Sequence, residues 1–95
     1  MINSKGRKAI VDMSNFTLGA KITVIDNSSI LLKSTIEDMS NIESQVIDIV
    51  SHFDVEEIYL KPIASKENDE IINSFKKALI KDFSEKVDKI QFYMI

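Results

Sequence analysis

Ala20-Lys21-Ile22-Thr23-Val24-Ile25-Asp26-Asn27-Ser28-Ser29-Ile30-Leu31-Leu32-Lys33-Ser34-Thr35-Ile36 is the stretch on which the fold turns. Residues 20–26 are β-branched and alternating, with Ile22 and Val24 on one side and Lys21 and Thr23 on the other, the pattern of a half-buried strand. Asp26-Asn27-Ser28-Ser29 is turn chemistry, because short polar side chains bond their own backbone. Residues 30–36 then read as the returning strand of a hairpin. Upstream, the short apolar run 8–12 (Lys8 to Asp12) reads as a first strand that extends this hairpin into a meander.

Downstream of Met39 the period changes. Ile42, Val46, Ile49, Val50 and Phe53 fall on one helical face, Ser40 and Glu43 have the spacing of a capping box, and Asp54 closes the helix. Residues 56–61 return to strand and stop at Pro62, which has no amide to give a ladder. From Asn68 to Ser84 a second helix carries Ile71, Phe75, Leu79 and Phe83 on one stripe, with Asp69 and Glu70 early and Lys76, Lys77 and Lys81 later, as the helix dipole prefers. Residues 89–95 read as a last strand. The expected architecture is an α/β (α+β) domain over residues 1–95, a β-β-β-α-β-α-β mixed sheet with two helices. The first three strands should form an antiparallel meander, and the later strands should join in parallel.

This order resembles that of the ribonuclease-H-like superfamily, which includes the actin-like ATPase lobes. The run from Ala9 to Asp26 resembles their strand ending in Asp (here Asp12), short loop with Thr (Thr17) and second strand. The run from Val55 to Leu60, with its following helix and strand, resembles the half-lobe that precedes their adenosine contacts. The resemblance implies a single lobe that binds nucleotide or nucleic acid, with Asp12, Ser14 and Thr17 nearest the ligand. It departs at two places: Ser14 stands where such ATPases carry Gly, and Lys61-Pro62-Ile63-Ala64 where they carry a Gly-Gly turn. Ninety-five residues make one lobe rather than two, so hydrolysis is not expected.

Composition narrows the chemistry further. With no cysteine, a disulfide scaffold, a thiolate zinc site and a cysteine nucleophile are excluded. His52 is the single histidine and has no partner nucleophile in the sequence; it reads as a surface or cap residue. No glycine-rich phosphate loop is present. The resemblance to ribonuclease-H-like nucleases would make Asp12 a divalent-cation ligand, with Glu43 as a second carboxylate. A third acid is then expected at the end of the fourth strand, where Lys61 instead opposes a cation. The simpler reading makes Asp12 a strand-end turn residue and Glu43 the capping partner of Ser40. The expectation is therefore no catalytic residue, no metal and no cofactor.

Charge is unevenly distributed within a net of −3: residues 1–33 hold five basic and two acidic side chains, residues 34–65 one and seven, residues 66–95 six of each. Lys5, Arg7 and Lys8 form a short basic arm, and a nucleic-acid partner is not favoured on so few charges. The arm reads first as a solvated tail; the alternative is that the basic start of one copy meets the acidic middle of another copy, or of a partner protein. The last strand is apolar on both sides (Ile90, Phe92 and Met94 against Tyr93 and Ile95), as in a centrally placed strand; at an edge it would be a template for strand addition. Two helices suffice to cover one sheet face, which leaves the other to a partner; self-association as a homodimer is expected, with Phe92, Tyr93 and Ile95 at the contact. The apolar run behind the basic N-terminus stops at Asp12, short of the ~7–15 residues of a signal peptide or ~20 of a membrane span. A cytoplasmic protein that makes no membrane contact is the expectation. Function reads as a small non-catalytic protein-interaction or regulatory module, and the residue usage (many Ile, Lys, Asn, Ser) suits a phage- or plasmid-encoded accessory protein.

Overall fold

Ala20, Ile22 and Val24 are wholly buried while Lys21 is exposed and Thr23 and Ile25 lie between, so the alternation of the second strand separates a core side from an outer side. In the computed structural model, which describes residues 6–14, 19–62, 67–86 and 88–95, this strand is β2 (Ala20–Asp26). It pairs antiparallel with β1 (Arg7–Asp12) and with β3 (Ser29–Ile36), the latter with an irregularity between Val24 and Ile25. Asn27, at φ 56°, makes the tight reversal between β2 and β3. β4 (Glu57–Lys61) lies parallel to β1, and β5 (Gln91–Met94) parallel to β4. The sheet order is β3-β2-β1-β4-β5, the meander followed by parallel additions that the sequence pattern predicts.

Two helices fill the crossovers: α1 (Ile42–His52) between β3 and β4, and α2 (Asn68–Phe83) between β4 and β5. Both crossovers step the same way across the sheet. Parallel connections keep one hand, so both helices belong on the same face. The buried residues agree. Val46, Ile47 and Val50 of α1 and Ile71, Phe75 and Leu79 of α2 share one cluster with Ala9, Val11, Ile22, Val24, Ile58 and Leu60 of the sheet. The domain is thus two layers, helices over one side of a five-stranded sheet.

The ends of α1 show how local chemistry sets its length. The expected Ser40–Glu43 capping box is absent: a 3₁₀ turn over Met39–Asn41 moves the helix start to Asn41, whose side chain makes no capping bond. Ser40 instead donates its amide (3.1 Å) and hydroxyl (2.5 Å) to the Asp38 carboxylate. At the other end Asp54 adopts φ 54°, with Asp54 N–H donating to Ser51 O (3.4 Å) and Val55 N–H to Val50 O (3.1 Å). That is a Schellman closure with Val55 and Val50 both buried beneath it. Arg7 fastens this end to the sheet: its Nη1 donates to Phe53 O at 2.8 Å and its Nε to Asp26 Oδ2 at 3.1 Å. A cation on the last carbonyls of a helix is favoured by the helix dipole.

β5 is four residues long rather than seven, and of the two placements open to it, centre or edge, it takes the edge. With both helices on one side, its second apolar face is left uncovered among the described residues. Gly19, at φ +88°, enters β2 with no room for a side chain: a Cβ there would stand 2.4 Å from the Ile36 carbonyl oxygen. Among the described residues no helix is long and apolar enough to cross a membrane.

Candidate functional site

Because strand side chains alternate, the residues between the core positions all point to the sheet face that carries no helix. The pairing aligns them in three rows. Lys33, Thr23, Ile10, Tyr59 and Tyr93 form the middle row; Thr35, Lys21, Asp12, Lys61 and Ile95 the row at the C-terminal ends of the parallel strands; Ile30, Ile25, Lys8, Glu57 and Gln91 the third. This open face holds four lysines against two carboxylates on a chain whose net charge is −3. Its apolar content is continuous across the sheet: Ile30 (62% exposed), the half-buried Ile25, Ile10 and Tyr59, then Tyr93 (42%) and Ile95 (59%).

Tyr59 and Tyr93 stack with ring centroids 5.1 Å apart and planes 19° from parallel. Lys8 Nζ stands 5.9 Å from the Tyr59 ring centre and 3.9 Å from Glu57 Oε1. The Tyr59 hydroxyl donates to Glu57 at 2.9 Å, which raises its phenol above the ordinary tyrosine value, since ionisation would lose that bond and face a carboxylate. The Tyr59 phenol therefore stays protonated near neutral pH.

Asp12 ends the central strand β1. Its Oδ1 accepts the Ser14 hydroxyl (2.5 Å) and amide (2.9 Å), an Asx-type turn. These bonds from Ser14, with smaller help from Lys61 and Lys21, hold the Asp12 carboxyl below the ordinary aspartate range. In the register Lys21 and Lys61 are its direct neighbours on β2 and β4. Lysine thus stands at the position where the superfamily's further acid is expected. Glu43 belongs to α1, on the other side of the sheet from the Asp12 row. Among the described residues no three Asp, Glu or His side chains converge in a way that holds a metal ion. Thr17, the third residue of the expected ligand loop, lies outside the described residues.

Of the three residues expected at an interface, the structure brings two together. Tyr93 and Ile95 lie on the open face; Phe92 does not. It turns to the helix layer, 6.4 Å from the Phe75 ring, and packs against the core. This placement follows from parity, because neighbours along a strand face opposite sides. His52 is exposed and meets the Phe53 ring edge-on at 5.2 Å, as a surface residue in the last turn of α1. Sequence reasoning missed Tyr59, Lys8, Lys21, Lys33 and Lys61 as members of one surface. The signal was the alternation within β4, where Glu57, Tyr59 and Lys61 separate the buried Ile58 and Leu60. The chain matches no protein-family model and no curated protein.

Proposed function

We propose that this chain is a small non-catalytic interaction module, a cytoplasmic regulatory or accessory subunit that works by contact through the open face of its sheet. One observation carries the reading: β1, β4 and β5 run parallel, yet one side of them is uncovered among the described residues. Parallel strands are ordinarily covered on both faces. Here the uncovered side places Ile10, Ile25, Tyr59, Tyr93 and Ile95 across the sheet, an apolar band of the kind that marks interaction surfaces. Among the described residues of this face, Asp12 is bound up with Ser14 and bracketed by two lysines.

A photo-activatable phenylalanine analogue placed at position 93, and separately at Asn73 on the exposed side of α2, tests this in living cells. Adducts that form from position 93 and not from position 73 are expected. Equal labelling from both, or none from either, removes the proposal.

A second reading is favoured by the element order together with Asp12 at the end of the central strand: a stripped ribonuclease-H-like lobe that binds nucleotide or nucleic acid beside Asp12 and Ser14. Thermal shift with ATP, Mg²⁺, Mn²⁺ and short DNA or RNA separates the two. A rise in melting temperature with one of these, lost in Asp12→Asn, supports the lobe; no shift with any of them removes it.

A further inference from the structure

We infer that the occupant of the open face is a second copy of this chain, docked through the acidic side of its helix layer. The inference rests on the interaction reading above and names its partner. On the open face Lys8, Lys21, Lys33 and Lys61 project from four different strands, and the two carboxylates among them are already engaged within the chain. Asp12 accepts from Ser14, and Glu57 accepts from Tyr59 and faces Lys8. In the opposite layer α1 reverses the charge: it carries Glu43 and Asp48 and no lysine or arginine. The lysines of that layer, Lys76, Lys77 and Lys81, belong to α2. Where α1 meets α2 lies a shallow groove of about 430 Å³ lined by Asn41, Ser44, Gln45, Asp48 and Asp82. Among the described residues neither of its aspartates is in an ion pair.

These two surfaces complement each other in sign and in reach. A lysine lays its aliphatic stem along apolar surface and carries its ammonium beyond it, so lysines rising from around Ile10 and Ile25 deliver charge outward into such a groove. Two aspartates together with the amide and hydroxyl oxygens of Asn41, Gln45 and Ser44 supply its acceptors. A symmetric face-to-face dimer is the poorer arrangement, because a two-fold axis through the open face brings together two patches that each hold four lysines against two engaged carboxylates. The surfaces lie on opposite layers of one domain, so the contact is head-to-back: each copy offers its sheet to one neighbour and its helices to another.

Light scattering after size exclusion, at rising protein concentration and in about 50 mM and 500 mM salt, tests it with three variants. The unaltered chain is expected to grow beyond the mass of one copy with concentration in low salt, and to weaken at least about tenfold in high salt, as charge-led contacts do. Lys21→Glu/Lys61→Glu keeps only the acidic surface and Asp48→Lys/Asp82→Lys only the basic one; each alone is expected at one-copy mass. Mixed in equal amounts they are expected to form a two-copy species and nothing larger. Lys76→Glu/Lys77→Glu, on the exposed side of α2, is expected to associate like the unaltered chain. An unaltered chain that keeps one-copy mass up to about 1 mM in low salt overturns the inference without using any variant, as does a mixture that stays at one-copy mass. Adducts to another protein from position 93 alongside one-copy mass would overturn this inference while leaving the interaction reading intact.

Discussion

The two described glycines form a controlled experiment on backbone strain. Gly6 and Gly19 both hold positive φ, +97° and +88°, a region that costs an L-residue about 1–2 kcal/mol. They differ in space. A Cβ on Gly6 meets nothing nearer than Asn27 Oδ1 at 3.9 Å, whereas one on Gly19 would stand 2.4 Å from Ile36 O and 3.1 Å from Glu37 Cα. Ordinary contact is about 3.5–4.0 Å, so Gly19→Ala must displace main chain where Ala20 pairs with Ile36. Both residues are buried, and the shift opens the core at that end of the sheet. Gly6→Ala should therefore cost about 1 kcal/mol and Gly19→Ala about 3 kcal/mol or more, the excess being displaced backbone. Urea unfolding followed by circular dichroism reads both: with m near ~1 kcal/mol/M, the midpoints should fall by about 1 M and about 3 M. If the two variants share a midpoint, or Gly19→Ala is the more stable, the close approach to Ile36 does not exist as described.

Further outcomes follow from other parts of the molecule. Asp54→Gly relieves a left-handed residue at the closure of α1 and should raise stability by roughly 0.5–1 kcal/mol, read as a higher melting temperature; a fall would refute the strain at that position. Phe75→Ala empties the largest fully buried side chain and should cost about 3–5 kcal/mol, while Tyr93→Ala, on the open face, should stay within about 1 kcal/mol; similar losses would mean the open face supports the fold. Asp12 should titrate below the ordinary aspartate range by carboxyl NMR, and Ser14→Ala should move it back up. The sign follows: a depressed carboxyl stabilises the fold above its unfolded value, and this contribution disappears as pH falls through the depressed one. An unchanged titration in Ser14→Ala would place the cause elsewhere.

Element order was legible because it is written in local signals. The alternation of 20–26, the turn residues around Asn27 and the four-residue spacing of Ile71, Phe75 and Leu79 each act within a few positions. What was not legible depends on registry between segments far apart in sequence. Lys61 stands beside Asp12, and Tyr59 beside Tyr93, only because β4 pairs with β1 and β5 in one alignment out of several. Composition of the last strand pointed to a central, doubly covered place, yet its position is set by the crossover direction, which puts α1 and α2 on the same side. The capping box failed for a nearer reason. Asp38, two residues before Ser40, competes for the same hydroxyl and wins it through a 3₁₀ turn that the spacing of Ser40 and Glu43 does not reveal.

The place of β1 has a consequence for synthesis. It precedes the other described strands in the chain and sits in the middle of the sheet, and the partner for its second edge, β4, begins at Glu57. A ribosome adding ~5–20 residues per second needs about 1–4 seconds to travel from Ile36, the end of the meander, to that strand. For that interval the nascent meander shows a bare backbone edge beside Ala9 and Val11, side chains later sealed from water. Newborn chains on neighbouring ribosomes are thus most prone to pair wrongly before the parallel half arrives, and slowing translation between β3 and β4 should lower soluble yield.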